Sequence, residues 1–146
     1  MSQSNLSRLI SPRSIAVVGH RGADFAIKGS LKLGYTGKIW AIHPSRETIE
    51  GLECYKSVRD LPEPPDATFI AVNAEAAIEI VTDLKQIGGG GAVLYASGFG
   101  EVGEDGVNRN QRLVEAAGKM PIIGPNCYGF INSLDSVALW PDLHGC

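Results

Sequence analysis

The chain has 146 residues, 44% of them apolar and 20% charged, with a formal net charge of −3. That size and balance fit one soluble globular domain with a core of its own, and the slight acidity argues against a nucleic-acid partner held by a basic surface. No apolar run reaches the length of a membrane span, the polar opening Met1 to Arg8 lacks the apolar stretch of a secretory signal, and the scattered Cys54, Cys127 and Cys146 offer neither a disulfide framework nor a zinc-ligand spacing. The expected compartment is therefore the reducing cytoplasm.

Ser14-Ile15-Ala16-Val17-Val18-Gly19 is a short β-branched run closed by glycine, and it predicts a buried strand. Asp24 is expected to cap a helix reaching about Leu33, with Gly34 as its stop. Lys38 to His43 predicts a second strand, halted by Pro44, and an edge strand is expected around Cys54 to Val58. Leu61-Pro62-Glu63-Pro64-Pro65 is a stiff surface connection. Ala67 to Val72 is apolar on both faces, as a covered parallel strand is. Asn73 then caps a helix whose Ala77, Ile80, Val81 and Leu84 recur on one face, and Gly88 to Gly91 end it. Ala92 to Ala96 predicts the next strand. Val107 to Lys119 predicts a helix with Leu113, Val114 and Ala117 inward, and Pro121 to Gly124 a last short strand.

Strand and helix alternate throughout. That order specifies an α/β fold: a Rossmann-like, doubly wound, mostly parallel sheet with helices on both faces. Ligands of such sheets lie at the carboxyl ends of the strands, where the strand order reverses. In the first such loop, Gly19 lets backbone approach a phosphate, and Arg21 beside His20 adds positive charge. The loop departs from G-x-G-x-x-G, because Arg21 stands at the second glycine. After the second strand, where an NAD site carries a carboxylate for the ribose, the chain reads His43-Pro44-Ser45-Arg46. A cation there suits a phosphate on the adenosine ribose, as in NADP or coenzyme A. Asn73, Ala74, Ser97, Gly98 and Phe99 then offer polar and apolar groups along a groove, as a pantetheine arm requires.

Several segments, taken together and in order, resemble one family. Leu9 to Gly19 looks like the opening of the CoA-binding domain of NDP-forming acyl-CoA synthetases, the domain that also begins the α subunit of succinyl-CoA synthetase. Gly34-Tyr35-Thr36-Gly37-Lys38-Ile39, Gly51-Leu52-Glu53-Cys54-Tyr55 with Leu61-Pro62-Glu63, Ala71-Val72-Asn73-Ala74-Glu75 and Ser97-Gly98-Phe99-Gly100-Glu101 resemble successive motifs of that domain. Ile123-Gly124-Pro125-Asn126-Cys127-Tyr128-Gly129 is similar to its Gly-Pro-Asn-Cys-x-Gly signature. Three departures stand out: the first loop is shorter than in most relatives, His43-Pro44-Ser45-Arg46 replaces Asn-Pro-Lys, and Asn73 replaces proline.

The resemblance implies coenzyme A or an acyl-CoA in the crevice. Gly19, His20 and Arg21 are then expected by the phosphates, Ser45 and Arg46 near the adenosine, and Val72, Asn73, Ser97, Gly98 and Asn126 along the pantetheine. It also implies that residues 1–146 form one CoA-binding domain at the N-terminal part of a longer protein. The ligase partners, a domain bearing a phosphorylated histidine and an ATP-grasp module, then lie outside it. No catalytic residue and no metal ligand is expected within the chain. His20 and His43 are read as contact or capping residues, Cys127 as packing, and Glu101, Glu104 and Asp105 as favourable charge at a helix N-terminus. Two other functions stay open on the residues alone: a stand-alone CoA-binding regulatory or carrier protein, and an NAD(P)-binding Rossmann domain.

Overall fold

The computed structural model describes residues 5–19, 23–95, 104–124, 130–132 and 134–139. Its elements in chain order are α1 (Asn5–Ile10), β1 (Ser14–Gly19), α2 (Ala23–Leu33), β2 (Lys38–Ile42), β3 (Thr48–Ile49), β4 (Leu52–Tyr55), a 3-10 turn at Val58–Asp60, β5 (Ala67–Ala71), α3 (Ala74–Ile87), β6 (Ala92–Leu94), α4 (Glu104–Ala117), β7 (Ile122–Ile123), β8 (Phe130–Asn132) and β9 (Val137–Leu139). One sheet runs β3-β4-β2-β1-β5-β6-β7. Every pairing in it is parallel except that of β3 with β4. The expected doubly wound α/β architecture is therefore present, with β1 at the centre.

Alternation along β1 explains why both faces are covered. Ala16 and Val18 join Ile42, Ile70, Ala77, Val81 and Leu84 beneath α3 and α4. Ile15 and Val17 join Ala26, Ile27, Phe69 and Val93 on the opposite face, with Leu9 of α1 and Leu139 of β9. All six residues of β1 are buried, so its β-branched run packs in both directions. Asn73 caps α3 as expected, its side chain accepting from the Ala76 N–H at 2.9 Å, and Gly88 closes the helix in the left-handed conformation, φ 88°.

Four expectations need correction. α2 already begins at Ala23, so Asp24 sits within its first turn rather than at the cap. The edge strand begins at Leu52 instead of Cys54, because β3 and β4 form a hairpin; Glu50 (φ 50°) and Gly51 (φ 79°) supply the two positive-φ residues of its tight turn. Val58 leaves that strand for the 3-10 turn, where the Ser57 hydroxyl accepts from Arg59 N–H at 3.2 Å. Val114 points outward at 68% exposure, while Leu113 and Ala117 are buried. One residue along a helix is a 100° step, and the core-facing stripe passes through 113 and 117.

The β8–β9 hairpin lies outside the alternating pattern, and its second strand packs on α2. No helix among the described residues is long and apolar enough to cross a membrane. At the amino ends of the strands, Asp66 gathers Arg8 Nε at 2.8 Å and the Arg13 N–H at 2.9 Å.

Thr68, in β5, is fully buried, and its Oγ1 has no hydrogen-bond partner among the described residues. A buried hydroxyl without a partner keeps its desolvation cost. Thr68→Val keeps the branched shape and is expected to raise stability by about 1 kcal/mol, a gain of a few degrees in Tm, roughly, by calorimetry. A fall in Tm would mean that the hydroxyl is satisfied.

Candidate functional site

β1 has β2 on one side and β5 on the other, so successive crossovers leave it in opposite directions and open a crevice past the carboxyl ends of β1 and β5. Gly19 and Ala71 are register partners at that point. Gly19 has φ 116°, and a Cβ on it would lie 2.2 Å from the Ala71 carbonyl oxygen. Only glycine allows the first loop to leave β1 so close to its neighbour. Beyond Ala71, Val72 is half-buried against the core, and Asn73 turns the chain into α3. The first N–H groups of α3 consequently begin at the crevice. Glu75 in that first turn is gripped by Arg112 through two 2.9 Å contacts, with Arg109 at 3.5 Å. The Arg112 hydrogen bond holds the Glu75 carboxyl below its usual range, and the pair ties α3 to α4.

The second loop is organised by a buried ring. His43 is 4% exposed. Its backbone N–H donates to the Tyr55 carbonyl at 2.9 Å, extending the β2–β4 ladder. Its Nδ1 accepts from the Ser45 N–H at 3.0 Å and the Arg46 N–H at 2.9 Å. Past this turn lies an open groove of about 610 Å³ lined by Ser45, Arg46, Glu47, Thr48, Gly51, Glu53, Cys54 and Lys56. Arg46 and Lys56 are exposed, and neither side chain forms an ion pair among the described residues. Arg8, Lys28, Lys38, Arg59, Arg109 and Arg112 face carboxylates, while Arg13, Lys32, Lys85 and Lys119 share with Arg46 and Lys56 the lack of such a pair among the described residues. Burial pushes the Cys54 thiol up, against a smaller lowering by Arg46, so this thiol is not an activated nucleophile.

A third strand end repeats the device of the first. Gly124, just after β7, has φ 110°, and a Cβ there would meet the Leu94 carbonyl oxygen at 2.4 Å. From β2 to β7 the sheet takes four steps, a track of about 19 Å at the usual strand spacing. A ligand reaching from Arg46 to the Gly124 loop must be long and thin.

Of the residues expected at the site, Gly19, Ser45, Arg46, Val72 and Asn73 all lie at the carboxyl ends of β1, β2 and β5. His20, Arg21, Ser97, Gly98 and Asn126 lie outside the described residues. His43 does the capping that its sequence position suggested. Lys56 is an addition. It reaches the groove because Ile42 pairs with Tyr55, a long-range register that no local signal carries. Among the described residues no group of three or more His, Cys, Asp or Glu gathers to hold a metal.

Comparison with known proteins places the chain among similar sequences. A family model described as a CoA binding domain matches residues 13–133. The chain is 38% identical over 136 residues to the ADP-forming acetate–CoA ligase II of Archaeoglobus fulgidus, covering 88% of this chain and 20% of that enzyme. It is 34% identical over 134 residues to the α subunit of ADP-forming acetate–CoA ligase II of Pyrococcus furiosus, covering 88% of this chain and 29% of the subunit. A solved structure of dinucleotide-forming acetyl-coenzyme A synthetase 1 from Ca. Korarchaeum cryptofilum, in complex with phosphate and ADP, superposes with a TM-score of 0.86 at 30% identity, covering 94% of this chain and 31% of that one. The chain thus spans less than a third of the length of these relatives.

Proposed function

This chain belongs to the CoA-binding domain family, and from that premise we propose that it holds coenzyme A along the carboxyl ends of its strands as one part of an ADP-forming acyl-CoA synthetase. The relatives that bear this activity are ligases of which the chain matches a fifth to under a third. Their remaining length, as domains or as separate subunits, is the natural partner. In this reading the domain binds and orients coenzyme A, and the acyl-phosphate and phosphohistidine chemistry belongs to those partners.

The observation that carries the ligand is the pair of cations, Arg46 and Lys56, where β2 and β4 end without an ion-pair partner among the described residues. They suit the phosphate on the adenosine ribose, and Ser45 adds a hydroxyl. At the end of β1, Gly19 brings the first loop away from the sheet against Ala71, and this loop, with His20 and Arg21, is the proposed seat of the pyrophosphate. Val72 and Asn73 are proposed for the pantetheine path, together with Ser97, Gly98 and Asn126, which lie outside the described residues. The Asn73 carbonyl oxygen already serves the helix cap, which leaves its amide N–H groups for the ligand. What coenzyme A supplies is the thiol that accepts the acyl group.

Calorimetric titration of the chain with coenzyme A, dephospho-CoA and NADP tests this reading. Saturable coenzyme A binding, at least fivefold or so weaker for dephospho-CoA, is expected. NADP binding in preference to coenzyme A would overturn the ligand.

A further inference from the structure

We infer that His43 is a positioning residue for the cationic groove, its ring acting as the backbone cap that aims Ser45 and Arg46. The inference rests on the coenzyme A reading for its ligand, but its geometry stands apart from it. Nδ1 accepts two backbone N–H groups, from residues two and three positions ahead, at 3.0 and 2.9 Å. That is the bonding of an Asx turn, in which an Asn or Asp Oδ1 accepts from the backbone just after it. Nδ1 of histidine and Oδ1 of asparagine both hang from Cγ, so an imidazole reproduces the asparagine cap. Pro44 between them presets one φ and has no N–H to satisfy.

The acceptor role fixes the ring's state. An Nδ1 that receives two N–H groups carries no proton, which places the ring's proton on Nε2. Burial of the ring at 4% exposure and the His43 N–H to Tyr55 carbonyl bond at 2.9 Å lock it to β4. The Arg46 backbone is thereby held at the groove that Lys56 also lines. An exposed arginine is long and rotamer-rich, and fixing its backbone is the way a fold limits the entropy lost when it grips a phosphate. The ring touches no ligand in this account; it acts through Arg46.

The test uses His43→Leu, which removes the acceptor, His43→Gln, which moves it one bond too far, and His43→Asn, which restores it. Two readouts are taken on the 146-residue chain: amide hydrogen exchange of Ser45 and Arg46, and titration with coenzyme A and dephospho-CoA. In the wild type both amides are expected to be protected. In His43→Leu and His43→Gln they should exchange roughly tenfold faster or more, and the coenzyme A Kd should rise roughly tenfold, with dephospho-CoA changing less than about threefold. His43→Asn should return both readouts to within about threefold of wild type. His43→Gln serves if His43→Leu does not fold. Unprotected Ser45 and Arg46 amides in the wild type, or a His43→Asn chain no better than His43→Gln, overturn the inference. A wild-type chain that takes up no coenzyme A overturns the ligand reading instead, and the two failures are read separately.

Discussion

Gly19→Ala is expected to lower stability by about 3 kcal/mol or more and to weaken ligand binding at the same time. Two costs add at this position. The backbone sits at φ 116°, beyond the left-handed well that an alanine tolerates, which alone costs of order 1–3 kcal/mol. The new Cβ also lies 2.2 Å from the Ala71 carbonyl oxygen and 2.9 Å from its carbon. Neither atom is a side chain that swings away, so β1 and β5 must separate at their carboxyl ends, where the crevice begins. Gly34 is the control. Its φ is 90°, yet nothing lies within 4 Å of an added Cβ, so Gly34→Ala carries conformational strain only, about 1 kcal/mol. Thermal melts should show a drop of roughly 10 °C for Gly19→Ala and roughly 3 °C for Gly34→Ala. Equal drops would mean that the close approach of the two strand ends contributes nothing.

The contrast between those glycines also shows what a sequence exposes. That both follow apolar runs is visible in the order of residues; that one faces a neighbouring carbonyl and the other faces solvent is a property of the sheet. Strands β1 and β5 are legible because Ser14–Gly19 and Ala67–Ala71 are apolar on both faces, and Asn73 is legible as a cap because its action is confined to the next three residues. The hairpin of β3 and β4 is not, because Thr48–Ile49 is too short for any periodicity to register. The β8–β9 hairpin and α1 escape for another reason. Their burial depends on a docking surface made by α2 and the sheet, as Leu9, Val137 and Leu139 in one cluster with Ile27 and Phe69 show. At the site, Arg46 announces itself by standing where a carboxylate is usual. Lys56 does not, since its place at the groove follows from the pairing of Ile42 with Tyr55. The buried ring of His43 falls between the two cases: its sequence place suggests a cap, but only its rotamer assigns Nδ1 to Ser45 and Arg46.

Removing both groove cations should separate recognition of the ribose phosphate from the rest of the ligand. The double substitution Arg46→Ala, Lys56→Ala is expected to raise the coenzyme A Kd roughly 10- to 100-fold, because a charge-assisted hydrogen bond to a phosphate contributes about 1.5–3 kcal/mol in a partly shielded groove and less where water competes. Dephospho-CoA lacks the phosphate these side chains would meet, so its Kd should move by no more than about twofold. Stability should hold, since both residues are exposed and neither enters an ion pair among the described residues. Loss of repulsion between the two cations is offset by Glu47 and Glu53, which line the same groove, so Tm is expected within about 2 °C of wild type. Salt supplies the second measurement. The preference for coenzyme A over dephospho-CoA should shrink in the wild type as potassium chloride rises from about 0.05 to 0.5 M, because screening acts across distances like those in this open groove. In the double variant the preference should be absent at every salt concentration. A preference that survives the loss of both cations would move the ribose phosphate away from the ends of β2 and β4, and with it the direction in which the ligand lies across the sheet.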